Sequence, residues 1–419
     1  MTESLWRNSD FAKLWAGQTV SELGSVVTRT AVPLVALLVL GAGPFEMAML
    51  IVAASMAVLL VGLFAGAWVD RLRRRPLLIS ADVIRSVLLF SIPVAWLAGV
   101  LHMQQLYVVV FLEGCLGALF DAAYPAYVPS LIGVDRVVEG NSKLATSSSL
   151  AEIGGPGLAG GLVQLIGAPM AILVDAVSFV VSAISLVLIR HRELPRPPHT
   201  EPTAIRREIL EGLALIRRHP ILLPLTLRSV IAHVAGSFYG VLYTIYLIEV
   251  LHLNAFLLGI VVSAGGVGSL IGSLFAARAI ARFGFGPAMI TTAAGASLIG
   301  VLTPLAGGPI FLATLMVFLP QLIGDGLQTV EGVAELSLIQ GVIPDRILGR
   351  VNANLEVFSH GIAYPLGALL AAVLAAPGML GVRSVIALGW AGMAISILLL
   401  VVSPLPRIRQ TSDVLALEA

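Results

Sequence analysis

Three carboxylates, Glu22, Asp121 and Asp325, stand near the middle of long apolar runs, and each is a group that can take up a proton and release it. Arg29, Glu152, His233 and His360 fall at similar depth in runs of the same kind. An ionisable side chain in such surroundings is costly, so it faces a cavity or a partner. A carboxyl that alternates between dry and wet settings alternates between protonated and ionised forms, which is the chemistry of proton coupling. Asp82 and Arg85 are one helical turn apart and are spaced to pair with each other. Gln18, Phe238, Tyr239, Tyr243, Gln321 and Gln328 offer polar and aromatic contacts to a substrate. No phosphate-binding glycine loop, Cys/His metal spacing or Ser-His-Asp arrangement is present, so no cofactor, metal or bond-making chemistry is expected. Energy must then come from a gradient rather than from nucleotide hydrolysis within the chain. A membrane-embedded enzyme or sensor becomes a remote alternative.

The elements that position these residues follow from solvent. Of 419 residues, 58% are hydrophobic and 12% charged, about half the charged fraction of an ordinary soluble domain. An interior of this size has no room for so many apolar side chains, and lipid must cover the rest. The 42 glycines and 23 prolines suit packed transmembrane helices. One cysteine, Cys115, excludes an intrachain disulfide. The polar start of the chain shows no small-residue cleavage site, so no removable signal peptide is expected.

Apolar runs of about 20 residues cross about 30 Å of hydrocarbon as helices. Twelve are predicted: 12–40, 45–69, 77–99, 105–130, 141–166, 169–189, 221–251, 255–279, 286–306, 310–340, 349–375 and 382–404. The runs are continuous rather than alternating, which excludes a β-barrel. Lys and Arg collect in alternate loops: Arg71, Arg73, Arg74 and Arg75, then Arg136 and Lys143, then seven arginines in 190–219, then Arg278, Arg282, Arg346, Arg350, Arg407 and Arg409. The positive-inside rule places those loops and both termini in the cytoplasm, in a multi-pass protein of the inner or plasma membrane. Residues 191–219 read as a cytoplasmic linker between two halves, 1–190 and 220–419. It begins with Pro195, Pro197, Pro198 and Pro202 and ends as an amphipathic helix, with Ile205, Ile209, Leu213 and Ile216 against Arg206, Arg207 and Arg217.

The halves repeat each other. PSLIGVDRVVEGNSKL at 129–144 and LSLIQGVIPDRILGRVNANL at 336–355 share Ser-Leu-Ile, Asp-Arg, Gly and Asn in order, each between the fourth and fifth helix of its half. Such repeats place two bundles about an axis along the membrane normal. After the second helix come Gly66, Asp70, Arg71, Arg73, Arg74 and Arg75. The fifth helix carries Gly154, Gly155, Pro156, Gly157, Gly160 and Gly161. On these residues the whole chain resembles the major facilitator superfamily, in its drug and siderophore exporter-like branch related to enterobactin and macrolide efflux carriers.

The resemblance implies an all-α fold of twelve transmembrane helices in two six-helix bundles with pseudo-two-fold symmetry. Helices 1, 4, 7 and 10 would line the cavity, and Glu22, Asp121 and Asp325 would be its proton-coupling acids. Gly66, Asp70, Arg71, Arg74 and Arg75 would form a latch that holds the cytoplasmic side closed, and Gly155, Pro156 and Gly160 would bend or pack the helix associated with antiport. The expected activity is proton-driven export of a drug, macrolide or siderophore by a monomer rocking its halves, with no nucleic-acid partner. An importer or a carrier of lipid-like substrates on the same fold is the alternative. Three departures stand out. Arg73 replaces a usual glycine, the loop Gly272 to Arg278 lacks a matching acid, and the fourth helix holds Glu113 and Asp121 where family antiporters often place an arginine.

Overall fold

In a computed structural model the chain is described over residues 5–191, 205–343 and 345–418, and by backbone alone at 62–71, 134, 205–211, 345–346, 350 and 415–418. Every long element is a helix. The first is α1 (Ser9–Leu38), started by Asn8, whose side-chain oxygen accepts from the N–H groups of Asp10 and Phe11 at 3.1 Å and so satisfies two of the amides a helix start leaves open. Then come α2 (Pro44–Arg71), α3 (Arg74–Leu97), α4 (Met103–Ile132), α5 (Val137–Ile166) and α6 (Ala168–Leu188). Only Gly167 separates α5 from α6, and its φ of 84° is the left-handed conformation that a side chain would strain.

After the short amphipathic α7 (Ile205–Arg218) follow α8 (Leu222–Ile245), α9 (Ala255–Phe283), α10 (Phe285–Gly300), α11 (Leu302–Leu305), α12 (Ile310–Leu319), α13 (Asp325–Val342), α14 (Asp345–Glu356), α15 (Tyr364–Leu374), α16 (Val382–Val402) and α17 (Thr411–Glu418). Three apolar runs predicted as continuous are interrupted here by wider π-helical turns: Tyr246–Val250 after α8, Pro320–Gly324 between α12 and α13, and Val357–Ala363 between α14 and α15. Pro320 opens the second of these turns, and its missing N–H disturbs the regular bonding ladder.

Among the described residues, eleven helices are long and apolar enough to cross a membrane. The helix α5 is as long as any of the others in its half, at 30 residues, but its first turns carry Glu139, Asn141, Ser142 and Lys143. Large apolar side chains point outward, with Leu165, Phe311 and Val402 exposed by 82%, 76% and 86%. Contiguous exposure of that kind is what lipid covers. The protein is an all-α, multi-span membrane protein.

The chain divides into two compact units, Met1–Glu201 with Asn254–Ser263, and Pro202–Leu253 with Ala264–Ala419. In the first, α1 packs against α5 and α6, α3 against α4 and α6, and α2 against α4. Its buried apolar cluster gathers Leu5, Phe11, Leu78, Tyr127 and Leu186 where the starts of α1 and α3 meet the ends of α4 and α6. In the second, α8 packs against α15 and α16, and α10 against α13 and α16. Its cluster gathers Leu222, Met289, Ile339, Val351 and Leu405.

Candidate functional site

The first unit holds its deep charges on uninterrupted helices. Arg85 of α3 donates from Nε to Glu113 Oε1 of α4 at 3.0 Å, makes a second contact with the same oxygen through Nη2, and lies 4.0 Å over the Phe179 ring. Asp82 and the Asp175 carboxyl of α6, respectively 0% and 1% exposed, lie within electrostatic reach of the same guanidinium. The expected Asp82–Arg85 pair is therefore corrected: the hydrogen bonds of Arg85 go to Glu113. Asp82 remains beside Arg85 and Ser182. The reason is reach, since a guanidinium bonds in the plane of its fork, and α4 supplies a carboxylate in that direction. Asp175 accepts from Ser178 Oγ at 3.0 Å.

The remaining sites predicted in this unit group in pairs. Arg29 of α1 bonds Glu152 of α5, both largely exposed. Glu22, about two turns before Arg29 on the same face of α1, accepts from Ser148 Oγ at 3.3 Å. Asp121 is exposed on α4 and Gln18 half-buried on α1. Gly155 lies against Val26, where an added Cβ would come within 2.5 Å of Val26. Pro156 and Gly160 meet Ala255 and Gly259 of the segment that belongs to this unit: a Cβ on Gly160 would stand 2.3 Å from the Ala255 carbonyl oxygen. Gly157 N–H donates to Ser263 Oγ there at 2.9 Å. The Gly-Pro element thus serves close backbone approach.

Of the predicted latch, the side chains of Gly66, Asp70 and Arg71 lie outside the described residues, their backbone being the end of α2. Arg74 bonds the Ala126 carbonyl, and Arg75 donates to the Leu186 and Val187 carbonyls at 2.9 and 2.8 Å. The Arg75 cation at the carbonyl end of α6 satisfies groups that a helix end leaves open.

The second unit places several of its polar groups at or beside the π turns. Gln321, within Pro320–Gly324, donates from Nε2 to Tyr239 Oη at 2.7 Å and Tyr243 Oη at 3.1 Å. The two tyrosine rings lie 4.2 Å apart, and Trp390 meets Tyr239 edge-on at 5.9 Å. Asp325 follows that turn directly, with its carboxyl against the bare Cα of Gly265, where a Cβ would stand 2.2 Å from Oδ2. No basic side chain pairs with Asp325 among the described residues. Gln328 is exposed one turn on. His233 of α8 and His360 of the turn Val357–Ala363 face each other with Nε2 atoms 3.2 Å apart.

Sequence reasoning missed Asp175 as a partner for Arg85, and it missed Arg228, which bonds buried Glu331 and lies 4.0 Å from Glu335. A signal for Arg228 was present, because it is the one basic residue in the run 221–251.

The model of the family described as Major Facilitator Superfamily matches residues 14–368. The chain belongs to the Major Facilitator Superfamily. It is 26% identical over 379 residues to the multidrug efflux pump Tap of Mycolicibacterium fortuitum, covering 87% of this chain and 88% of that protein. It is 26% identical over 235 residues, 53% of each chain, to the protein YfiS of Bacillus subtilis (strain 168), described as an uncharacterized MFS-type transporter; that match spans about half of the relative's length. Among solved structures, the fold resembles a bacterial homologue of the iron transporter ferroportin in an inward-facing state, with a TM-score of 0.73, 19% identity, and coverage of 95% of this chain and 99% of that one. It also resembles the nucleoside transporter NupG, with a TM-score of 0.72, 12% identity and coverage of 94% and 97%. These likenesses show the fold of a superfamily whose members move different small molecules. The matched family is one of transporters and not a catalytic enzyme family.

Proposed function

We propose that this transporter exports a small amphipathic compound, such as a drug, macrolide or siderophore, in exchange for protons. The observation that carries the reading is Asp325: a carboxyl at a π turn, seated against Gly265, without a cation beside it, and one turn from the Gln321–Tyr239–Tyr243 cluster. A carboxyl in that setting holds a proton while dry and releases it where water reaches it. The aromatic and amide groups next to it suit a ligand with apolar faces and a few polar atoms. Likeness to the efflux pump Tap along most of both chains supports export.

On this reading α5 completes a set of twelve spans, in two related bundles at 1–190 and 220–419 joined by the linker 191–219. Both termini are cytoplasmic and the chain is a monomer. Glu22 and Asp121 assist Asp325, while Asp70 with its neighbouring arginines controls the cytoplasmic side as the bundles rock. The test is uptake of a fluorescent amphipathic cation into inverted vesicles under an imposed pH gradient. Uptake driven by the gradient, and lost in Asp325→Asn, is expected. Flux indifferent to the gradient, or flux in the opposite direction, would overturn the reading in favour of a facilitator or an importer.

A further inference from the structure

Export as proposed makes no use of His233 and His360, although among the described residues their ring nitrogens face each other directly. Each ring has its Nδ1 engaged. His233 Nδ1 stands 2.7 Å from the Ser229 carbonyl oxygen, and His360 Nδ1 stands 3.1 Å from Glu356 Oε1. A carbonyl and a carboxylate only accept, so both Nδ1 atoms carry the hydrogen, and both Nε2 atoms of the neutral rings present lone pairs. Those two lone pairs meet at 3.2 Å. Two acceptors facing at that distance repel unless a positive centre lies between them.

Metal-binding histidines are held in this way: the outer N–H is fixed by a carboxylate or a backbone carbonyl, which sets the tautomer and raises the basicity of the ligating nitrogen. The spacing fits as well. Two ring nitrogens bound at about 2.0–2.1 Å to one tetrahedral cation stand about 3.3 Å apart. The ring centroids are 4.4 Å apart at an interplanar angle of 76°. They need to part by less than about 1 Å for both lone pairs to converge on one ion of tetrahedral type. The His360 side chain is more than half exposed. Imidazole nitrogen selects zinc-like cations over magnesium.

We propose that His233 and His360 form a two-histidine binding edge for a divalent transition-metal cation of the zinc class. Among the described residues no group of three His, Cys, Asp or Glu side chains converges. The edge therefore supplies two protein ligands and leaves the other positions to water or to donor atoms of a bound substrate, which makes the cation exchangeable rather than structural. The Ser229 and Ser359 hydroxyls, 2.9 Å from each other, lie beside it. The charged and titratable groups facing the pair are Glu356, the Arg228 guanidinium and Tyr364, and Arg228 is neutralised by Glu331. A proton between the two Nε2 atoms satisfies the same lone pairs, so cation uptake displaces it.

The experiment uses the full chain purified in detergent, with zinc chloride titrated by calorimetry and cobalt chloride followed by visible absorption. One cation per chain is expected, with the intense visible bands of tetrahedral cobalt, and with about one proton released when the heats are compared in two buffers. His233→Ala and His360→Ala should each weaken binding by roughly a hundredfold, and Glu356→Gln by roughly tenfold through loss of the outer hydrogen bond. Glu356 is exposed, so its variant folds even where a histidine variant does not. Millimolar magnesium should not compete. Zinc affinity within about threefold of wild type in the double histidine variant, or in Glu356→Gln, would overturn the proposal, as would no zinc binding below millimolar concentration. Asp325→Asn should keep full zinc affinity, so failure of this site and failure of the proton-exchange reading are told apart.

Discussion

Unit 1 and unit 2 contain helices of similar length and each holds a buried ion pair, Arg85–Glu113 and Arg228–Glu331, but they differ in how their other polar groups are held. In unit 1 the charges sit on helices that carry internal prolines but no π turn among the described residues, and they are balanced by other charges: Arg85 by Glu113, with Asp82 and Asp175 nearby, and Arg29 by Glu152. In unit 2 three helices break into π turns; there Gln321 is held by neutral hydrogen bonds, Asp325 lies against bare backbone, and His360 is held by the Glu356 carboxylate. A paired charge is costly to separate, so it fixes one arrangement. A carboxyl or imidazole at a wide turn has spare backbone and spare valence, and it is free to exchange a proton or a ligand. The difference separates groups whose charge is already balanced from groups, such as Asp325, that have no charged partner among the described residues; on the proposed reading exchange belongs to the second kind.

The largest effect should come from Arg85. Arg85→Met leaves Glu113, Asp82 and Asp175 without their shared cation, and removal of one partner from a buried pair costs about 3–5 kcal/mol. Arg29→Met breaks a pair whose side chains are 60% and 46% exposed, and the expected cost is within about 1 kcal/mol. Thermal unfolding in detergent should show a large fall in Tm for the first and almost none for the second. Equal losses would break the claim that unit 1 is fixed by its buried charge cluster.

Close packing supplies the next test. Gly160→Ala drives a Cβ to 2.3 Å from the Ala255 carbonyl oxygen, whereas an added Cβ at Gly154 meets nothing within 4 Å. The first should cost about 1–3 kcal/mol by overpacking and the second at most about 0.5 kcal/mol. Comparable Tm values for the two variants would show that the Pro156–Gly160 contact yields easily and adds little rigidity. In unit 2, Tyr239→Phe removes one acceptor from the Gln321 amide. A loss of about 1 kcal/mol, or roughly fivefold in KM at unchanged stability, is expected in vesicle transport. A fall in Tm with KM unchanged would assign that cluster to packing instead.

Much of this was legible from residues alone. Apolar run length located the helices, because a bilayer accepts few alternatives to them. The same runs show Glu22, Arg29, Asp121, Glu152, His233, Asp325 and His360 as ionisable residues within apolar segments. Their pairings were not legible. Asp82 and Arg85 share a helix face, yet Arg85 bonds Glu113 at a separation of 28 residues, because the rotation of each helix about its axis is set by packing and leaves no mark in its own period. For the same reason His233 and His360, 127 positions apart, show no metal-like spacing. The π turns were hidden too, since one extra residue in a turn does not interrupt an apolar run. Pro320 was the one local hint. The side chains that would test the Asp70 latch lie outside the described residues.

The smallest effect concerns the rims, where the contrast between the units should vanish. In unit 1 the Asp10 carboxylate accepts from two successive backbone amides, Arg190 and His191, at 3.2 and 3.1 Å. In unit 2 the Asp413 carboxylate does the same for Arg409 and Gln410 at 2.8 and 2.9 Å. Each ties down the chain just beyond the last long helix of its unit, and Asp413 also serves the start of α17 in the manner of a capping box. The amides of Gln410 and Arg409 favour the ionised form and hold the Asp413 carboxyl below its ordinary value of 3.8. A depressed folded value means that the unfolded segment binds the proton more readily. The contribution is therefore complete above 3.8 and fades as pH falls through the lower folded value. Hydrogen exchange at the Gln410 amide should stay protected at neutral pH and lose protection on acidification. Asp413→Asn, whose side-chain oxygen still accepts but does not titrate, should keep partial protection without the acid step. An unchanged acid step in that variant would place the titrating group elsewhere, and the likeness of the two rims would then be one of geometry without shared electrostatics.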